Sequence, residues 1–394
     1  MTAGGHLPVG GPAAAIELAT ESLEGARLHE LLAEARAFGR LAPVSLAGRP
    51  AYLLTRHSDI KTFLAAHEEY PGGPMYAFQI EPVVGRTFIS MDGTEHDVYR
   101  QLAMPAFRSR AVSRFVDSEL VPLAHEIVDG FAARGEADLV AEFTGVLPFL
   151  AISRKLGVTA TDAQRELART MLSYPWSPDE AVAAGMEVTR FIEPVLDERR
   201  RHPGDDVLSH LLSAEFKGTR LTEAEVVSHI RLLYAVGATT TSDAMSSLFW
   251  TLLTQPGLLE RARREPAVRG CIVEELLRWE PPVAILPRMA ARGGVVGGVT
   301  VPDGTLILAA LSAANRAPEV FADADCFDPD RDTSEALTFG YGSKHCPGAH
   351  LGYQQLRAGL DVILERLPRL RLVEASKPSG AILRAVPRLR VAWG

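Results

Sequence analysis

Cysteine is scarce in this chain: three residues in 394, Cys271, Cys326 and Cys346. Three thiols do not make a disulfide framework, and no Cys-x-x-Cys or His-Glu-x-x-His spacing offers a zinc site. Basic residues are outnumbered, 41 Lys and Arg against 49 Asp and Glu, for a net charge of −8. That balance argues against nucleic acid as a partner, which needs a basic footprint. Long apolar runs are missing, since stretches such as 305–314 are too short to cross a bilayer. No charged segment followed by an apolar run opens the chain, so neither a secretory leader nor a membrane anchor is expected, and the expected location is the cytoplasm. A Gly-x-Ser-x-Gly elbow for a serine hydrolase is lacking. So is a dinucleotide fingerprint, because His345 takes the third glycine's place after Gly340 and Gly342. No Ser/Gly run, acidic block or repeat interrupts residues 20–394. Length alone would allow two or three domains. Without a linker, the expectation is a loose arm over 1–18 and a single domain over 19–394.

What is present is a chain that is 47% hydrophobic, enough for a large core. Helical patterns dominate, and short strand signals gather near 40–56, near 293–310 and at the C-terminal end. Thr222 and Glu225 form a Thr-x-x-Glu capping box that opens a helix running to about Thr254, where Gln255-Pro256-Gly257 stops it. Its middle, Val236 to Ala244, carries Gly237 and three successive threonines, Thr239 to Thr241, which are poor helix material. A sequence that weakens the centre of its longest helix does so for function. Threonine hydroxyls can bond back to the preceding turn, and Gly237 leaves room beside the backbone.

The most informative segment is Phe339 to Gly348, FGYGSKHCPG. Apolar residues at helical spacing follow it, which places Cys346 at a helix cap with Pro347 at the first helical position. Amide groups and the helix dipole there favour a thiolate. Gly340, Gly342 and Gly348 clear side chains where something flat must approach the backbone. A thiolate beside a cleared surface suits the axial position of a haem iron.

This loop resembles the haem-binding signature of the cytochrome P-450 family, Phe-x-x-Gly-x-x-x-Cys-x-Gly, through Phe339, Gly342, Cys346 and Gly348. Further segments resemble the family in the right order. His96 and Arg100 form a His-x-x-x-Arg followed by Met104-Pro105-Ala106-Phe107. Val236 to Thr240 is similar to the oxygen-binding helix. Glu275 and Arg278 form a Glu-x-x-Arg, and Arg331 lies in a segment like the family's meander. The resemblance covers about residues 20 to 390. It implies a mainly α fold with small β-sheets, a single triangular domain with a long central helix over the haem, of the soluble bacterial type.

By the same resemblance Cys346 is the iron ligand, and His96, Arg100, Arg288 and Lys344 face the haem propionates. Lys344 stands where His or Arg is usual, so it offers charge without a planar fork. His345 adjoins the ligand. Thr240 takes the place of the threonine that holds bound oxygen. Glu275, Arg278 and Arg331 form a buried ion cluster behind the cysteine loop. The acid customary before that threonine is replaced by Thr239. Asp243, four residues on, or ordered water with Thr240, is the expected proton source. Phe78, Phe88, Val236, Val283, Ile285, Leu286, Ile382 and Leu383 are expected to line a lipophilic pocket, and simple core packing accounts for each of them equally well.

The resemblance further implies haem b, dioxygen as co-substrate and electrons from NAD(P)H through a ferredoxin or flavodoxin with its reductase. A basic face of Arg108, Arg110, Arg114, Lys344 and Arg357 would meet that carrier, and a monomer is expected. The expected reaction is insertion of one oxygen atom into a C–H bond of a terpenoid, steroid, fatty acid or polyketide. Thr239 keeps two alternatives open: a peroxide-using or non-oxidative haem-thiolate enzyme, and a haem-binding sensor.

Overall fold

Apolar residues recurring every three to four positions make helices of most of this chain, and alternation makes the short strands. The computed structural model describes residues 16–18, 23–46, 48–290 and 293–394. In chain order its main elements are α1 (Arg27–Phe38), β1 (Leu41–Leu46), β2 (Arg49–Leu54), α2 (His57–Ala65), α3 (Gly93–Ala103), α4 (Ser109–Phe115), β3 (Glu136–Asp138), α5 (Leu147–Leu156) and α6 (Asp162–Met171). There follow α7 (Pro178–Arg201), α8 (Glu223–Thr254), α9 (Val268–Trp279), β4 (Leu286–Ala290), β5 (Thr305–Ala309), α10 (Ala349–Arg366), β6 (Arg371–Ala375) and β7 (Leu389–Ala392). Among the described residues no helix is long and apolar enough to cross a membrane.

Contacts group the chain into two compact units, neither of them a continuous stretch: 1–75 with 274–346 and 377–385, and 76–273 with 347–376 and 386–394. Of the arm expected over 1–18, residues 1–15 lie outside the described residues. Its last residues are fixed, since Leu18 N donates to Ser45 O at 2.9 Å and the Leu18 side chain is fully buried.

The first unit is built on a four-stranded sheet in the order β1-β2-β5-β4, with β2 and β5 parallel and the other pairs antiparallel. Successive side chains leave a strand on opposite faces. Leu53 and Leu308 accordingly join Leu28, Leu31 and Leu32 of α1 in one core, while Leu54 and Ile307 join Ile60 and Phe63 of α2 in another.

In the second unit α8 packs against α5, α6, α7 and α10. Its start is fixed by the capping box: Glu225 N donates to Thr222 Oγ1 at 3.3 Å, and Thr222 N to Glu225 Oε2 at 2.7 Å. The threonine run does not interrupt it, and helix continues from Glu223 to Thr254. Gly257 follows in the left-handed region at φ 72°.

Candidate active site

Gly340 and Gly342 both have left-handed backbones, φ 73° and 75°, and so turn the cysteine loop. A Cβ on Gly342 would lie 3.0 Å from the Leu64 carbonyl oxygen at the end of α2. Backbone conformation and close packing therefore account for glycine there, a different reason from the clearing expected for a flat ligand. The loop closes on itself, with Cys346 N donating to Phe339 O at 2.9 Å and His345 N to Gly342 O at 3.1 Å. The helix position expected for Cys346 needs correction. Gly348 is the N-cap of α10, so Cys346 lies two residues ahead of the cap and Pro347 precedes the first helical position. The first intrahelical bond runs from Gly352 N to Gly348 O, while the Cys346 amide is spent inside the loop.

Behind this loop stands a buried charge cluster. Arg278 Nε and Nη2 donate to the two Glu275 oxygens at 2.7 and 2.6 Å, and both side chains are 0% exposed. Arg331 Nε reaches Glu275 Oε1 at 3.2 Å, and Asp328 N reaches the same oxygen at 2.9 Å. Arg278 also donates to the carbonyls of Asn315, Ala324 and Cys326. Fork-to-fork pairing with both carboxylate oxygens bonded is the geometry in which a buried ion pair holds. The hydrogen bonds continue to the loop itself. Asn315 Oδ1 accepts from Leu337 N at 2.7 Å, its Nδ2 donates to Thr338 Oγ1, and Thr338 Oγ1 donates to Leu277 O. Asn315 is thus the link between the ion cluster and Phe339, and sequence reasoning missed it. A second network, also missed, joins Glu280 to Arg384 and to His29 Nε2 at 3.2 Å. Burial holds the His29 imidazole below its ordinary range, although Glu280 pulls the other way.

Arg288 lies on β4, opposite Ile307 of β5, and is 3% exposed. A Cβ on Gly72 would come within 3.2 Å of its Cζ, so a bare backbone makes room for the guanidinium. His96 and Arg100, in the second unit, share one face of α3 one turn apart. His96 is 1% exposed, and its Nδ1 lies 3.3 Å from Asp97 Oδ1. Lys344 ends the short 3₁₀ turn Gly342–Lys344.

These residues fit a haem by the chemistry of their donors. Among the described residues no three His, Cys, Asp or Glu side chains gather to hold a metal ion. A lone cysteine ligand suits a metal that brings its own equatorial donors, as iron in a porphyrin does. Buried or half-buried basic side chains, Arg288 in the first unit and His96 and Arg100 in the second, are of the type that suits its carboxylates.

On α8, Thr239 Oγ1 donates to Ala235 O at 3.0 Å and Thr240 Oγ1 to Val236 O at 2.9 Å, each back to the preceding turn. Thr239 is buried, whereas Val236, Gly237 and Thr240 keep partial exposure. The room expected beside Gly237 is filled: a Cβ there would lie 2.8 Å from Ile152 Cγ1, so this glycine lets α8 approach α5. Asp243 is 2% exposed, and its Oδ1 accepts from Arg169 Nη2 of α6 at 2.7 Å. Its Oδ2 is buried with no hydrogen-bond partner. Burial raises the carboxyl above its ordinary value, and Arg169 draws it back only in part. One and two turns further along the same face, the buried hydroxyls of Ser247 and Thr251 also have no partner.

The pocket-lining candidates divide. Val283 and Leu383 face each other in an antiparallel bridge, and Ala284 N donates to Ile382 O, so the two apolar segments meet. Leu286 and Ile382 are partly buried against the sheet cores. Ile285 is 0% exposed in the core with α1, and that face of β4 accounts for it without a ligand. Phe88 is also core, 4% exposed and 5.6 Å from the His229 ring. His229 accepts from Phe88 N and donates from Nδ1 to Glu225 O; burial lowers its pKa and keeps it neutral. Phe78 is 42% exposed. Of the basic face, Arg357 is turned to Asp361 at 2.8 Å and to the Pro266 carbonyl.

The chain is similar to known proteins along most of its length. The family profile described as Cytochrome P450 matches residues 168–376. The chain is 33% identical over 361 residues to mycinamicin IV hydroxylase/epoxidase of Micromonospora griseorubida, covering 88% of this chain and 90% of that protein. It is 33% identical over 370 residues to nocardicin C N-oxygenase of Nocardia uniformis subsp. tsuyamanensis, with the same coverages of 88% and 90%. Among solved structures, the bacillaene polyketide synthase cytochrome P450 PksS of Bacillus subtilis 168 matches with a TM-score of 0.83 and 25% identity, over 93% of this chain and 96% of that one. The chain belongs to the cytochrome P450 family. It is a monooxygenase, an oxidoreductase whose chemistry depends on haem iron and dioxygen.

Proposed function

We propose that this monooxygenase holds haem b through Cys346 and inserts oxygen into a C–H bond of a lipophilic small molecule. The observation that carries the reading is the cysteine loop braced by the satisfied Glu275–Arg278–Arg331 cluster through Asn315 and Thr338. Rigid support of this kind holds a ligand atom in place. His96, Arg100, Arg288 and Lys344 would pair with the carboxylates of the group. Bound there, the haem would supply oxygen activation, and a Cys346 thiolate would tune it. Val283, Leu286, Ile382 and Leu383 present apolar surface to the substrate and exclude water.

Proton supply rests on α8. Thr240 offers a half-exposed hydroxyl that now donates to Val236 O and could turn from it to hand on a proton. Asp243 Oδ2 and the hydroxyls of Ser247 and Thr251 are buried polar atoms that ordered water would satisfy. The raised pKa of Asp243 lets it hold a proton closer to neutrality than an ordinary carboxyl does. The likeness to a polyketide synthase cytochrome weights polyketides among the substrate classes. Electrons come from NAD(P)H through a separate ferredoxin or flavodoxin, for which Arg108 and Arg110 are docking cations.

The test supplies the purified chain with a ferredoxin, its reductase, NADPH and isotopically labelled dioxygen, against a panel of polyketides, terpenoids, steroids and fatty acids. One labelled oxygen atom in the product is expected. Unlabelled product formed at equal rate from hydrogen peroxide alone would favour the peroxide-using alternative, which the missing acid at Thr239 keeps in view.

A further inference from the structure

The second unit contains a cavity of about 790 Å³ between α4, the end of α5 and the segment after α7, and it takes in Arg114, one of the cations first read as a docking face. That volume is in the range of small-molecule sites. Four cations line it, and two are committed. Arg154 pairs with Glu126 at 3.2 Å and Glu119 at 3.7 Å, and Arg199 pairs with Asp206 at 2.6 Å. Asp206 is spent as well, because its Oδ1 caps the following helix at Ser209 N. Among the described residues the other two, Lys155 and Arg114, have no carboxylate within ion-pair distance, although Asp205 attracts Lys155 from farther off. The Lys155 amine sits 5.0 Å from the centre of the Phe115 ring, a contact that attracts a cation without neutralising it. Burial lowers the Lys155 pKa first; Asp205 pulls it back, and Arg114 adds a smaller repulsion in the lowering direction. The His210 ring is occupied by the Leu102 carbonyl at 2.9 Å.

Two cations held in no close ion pair, with Asp205 the one lining carboxylate that attracts Lys155 from farther off, leave a concave site of ligand size able to take an added anion. We propose that this cavity is a binding site for a phosphate group, held by Lys155 and Arg114, with Phe115, Leu150 and Val158 as apolar wall for any organic part. A dianion answers both cations at once.

The probes are inorganic phosphate and phenyl phosphate, titrated calorimetrically into the full-length holoenzyme at constant ionic strength. Saturable binding is expected, weakened at least tenfold by Lys155→Met and by Arg114→Gln. Arg114 is exposed, so its variant keeps the test valid should the Lys155 variant misfold. Tighter binding of phenyl phosphate would identify an organic phosphate as the ligand, and equal binding would identify inorganic phosphate. Absence of saturable heat with both probes, or binding unchanged in both variants, would overturn the proposal.

Discussion

Two buried carboxylates on two helices show opposite uses of the same group. Glu275 on α9 is 0% exposed and fully satisfied, accepting twice from Arg278, once from Arg331 and once from the Asp328 amide. Asp243 on α8 is 2% exposed and half satisfied, with one oxygen on Arg169 and the other on nothing. A satisfied buried charge fixes geometry, whereas a half-satisfied one costs stability and keeps its proton mobile. In the proposed function the first braces the cysteine loop and the second carries a proton.

The sharpest way to break this contrast is at the brace. Glu275→Gln removes the charge that the buried Arg278 and the half-buried Arg331 face, and a loss of about 3–5 kcal/mol is expected in denaturant unfolding. A loss under about 1 kcal/mol would mean that the cluster is not what holds the region together. Next in size is Gly237→Ala. The added methyl meets Ile152 Cγ1, and overpacking of this kind costs about 1–3 kcal/mol. Adding Ile152→Ala should return part of that cost in a double-mutant cycle. If stability is unchanged and turnover falls, Gly237 serves the ligand side rather than the helix contact.

Asp243→Asn is predicted to go the other way and stabilise the protein at pH 7 by about 1 kcal/mol, because a half-satisfied charge is removed. Arg169, the partner left behind, is 53% exposed and easily solvated. The pH dependence follows from the direction of the shift. The folded-state pKa is raised above the ordinary 3.8, so the folded chain binds this proton more readily than the unfolded chain. Relative stability is therefore lost as pH rises from 3.8 through the folded value, and the advantage of the Asn variant shrinks as pH falls toward 3.8. Product per electron should fall in the same variant. An Asn variant less stable at pH 7 would place Asp243 with the braces.

These outcomes also mark what the sequence could carry. Motif spacing located Cys346, the Glu275–Arg278 pair and the ends of α8, because caps and i, i+3 pairs are local. Asn315 and Gly72 were invisible, since each acts on a partner far along the chain: Leu337 and Thr338 for one, Arg288 for the other. The glycines were visible but misread. Gly237 and Gly342 are explained by Ile152 and by the Leu64 carbonyl, contacts that no local pattern encodes. Ile285 and Phe88 show the same limit, because an apolar residue beside a motif reads alike whether it faces a ligand or a core. The Asp243–Arg169 pair spans two helices and likewise needed the fold.

One spectrum tests the centre of this account. The purified, reduced protein exposed to carbon monoxide should show the strongly red-shifted absorption of a thiolate-bound haem. Cys346→His should retain haem but lose that band, with Cys271 and Cys326 unable to substitute. The same band surviving in the Cys346 variant, or its absence from intact wild-type protein, would contradict the assignment of the sulfur ligand.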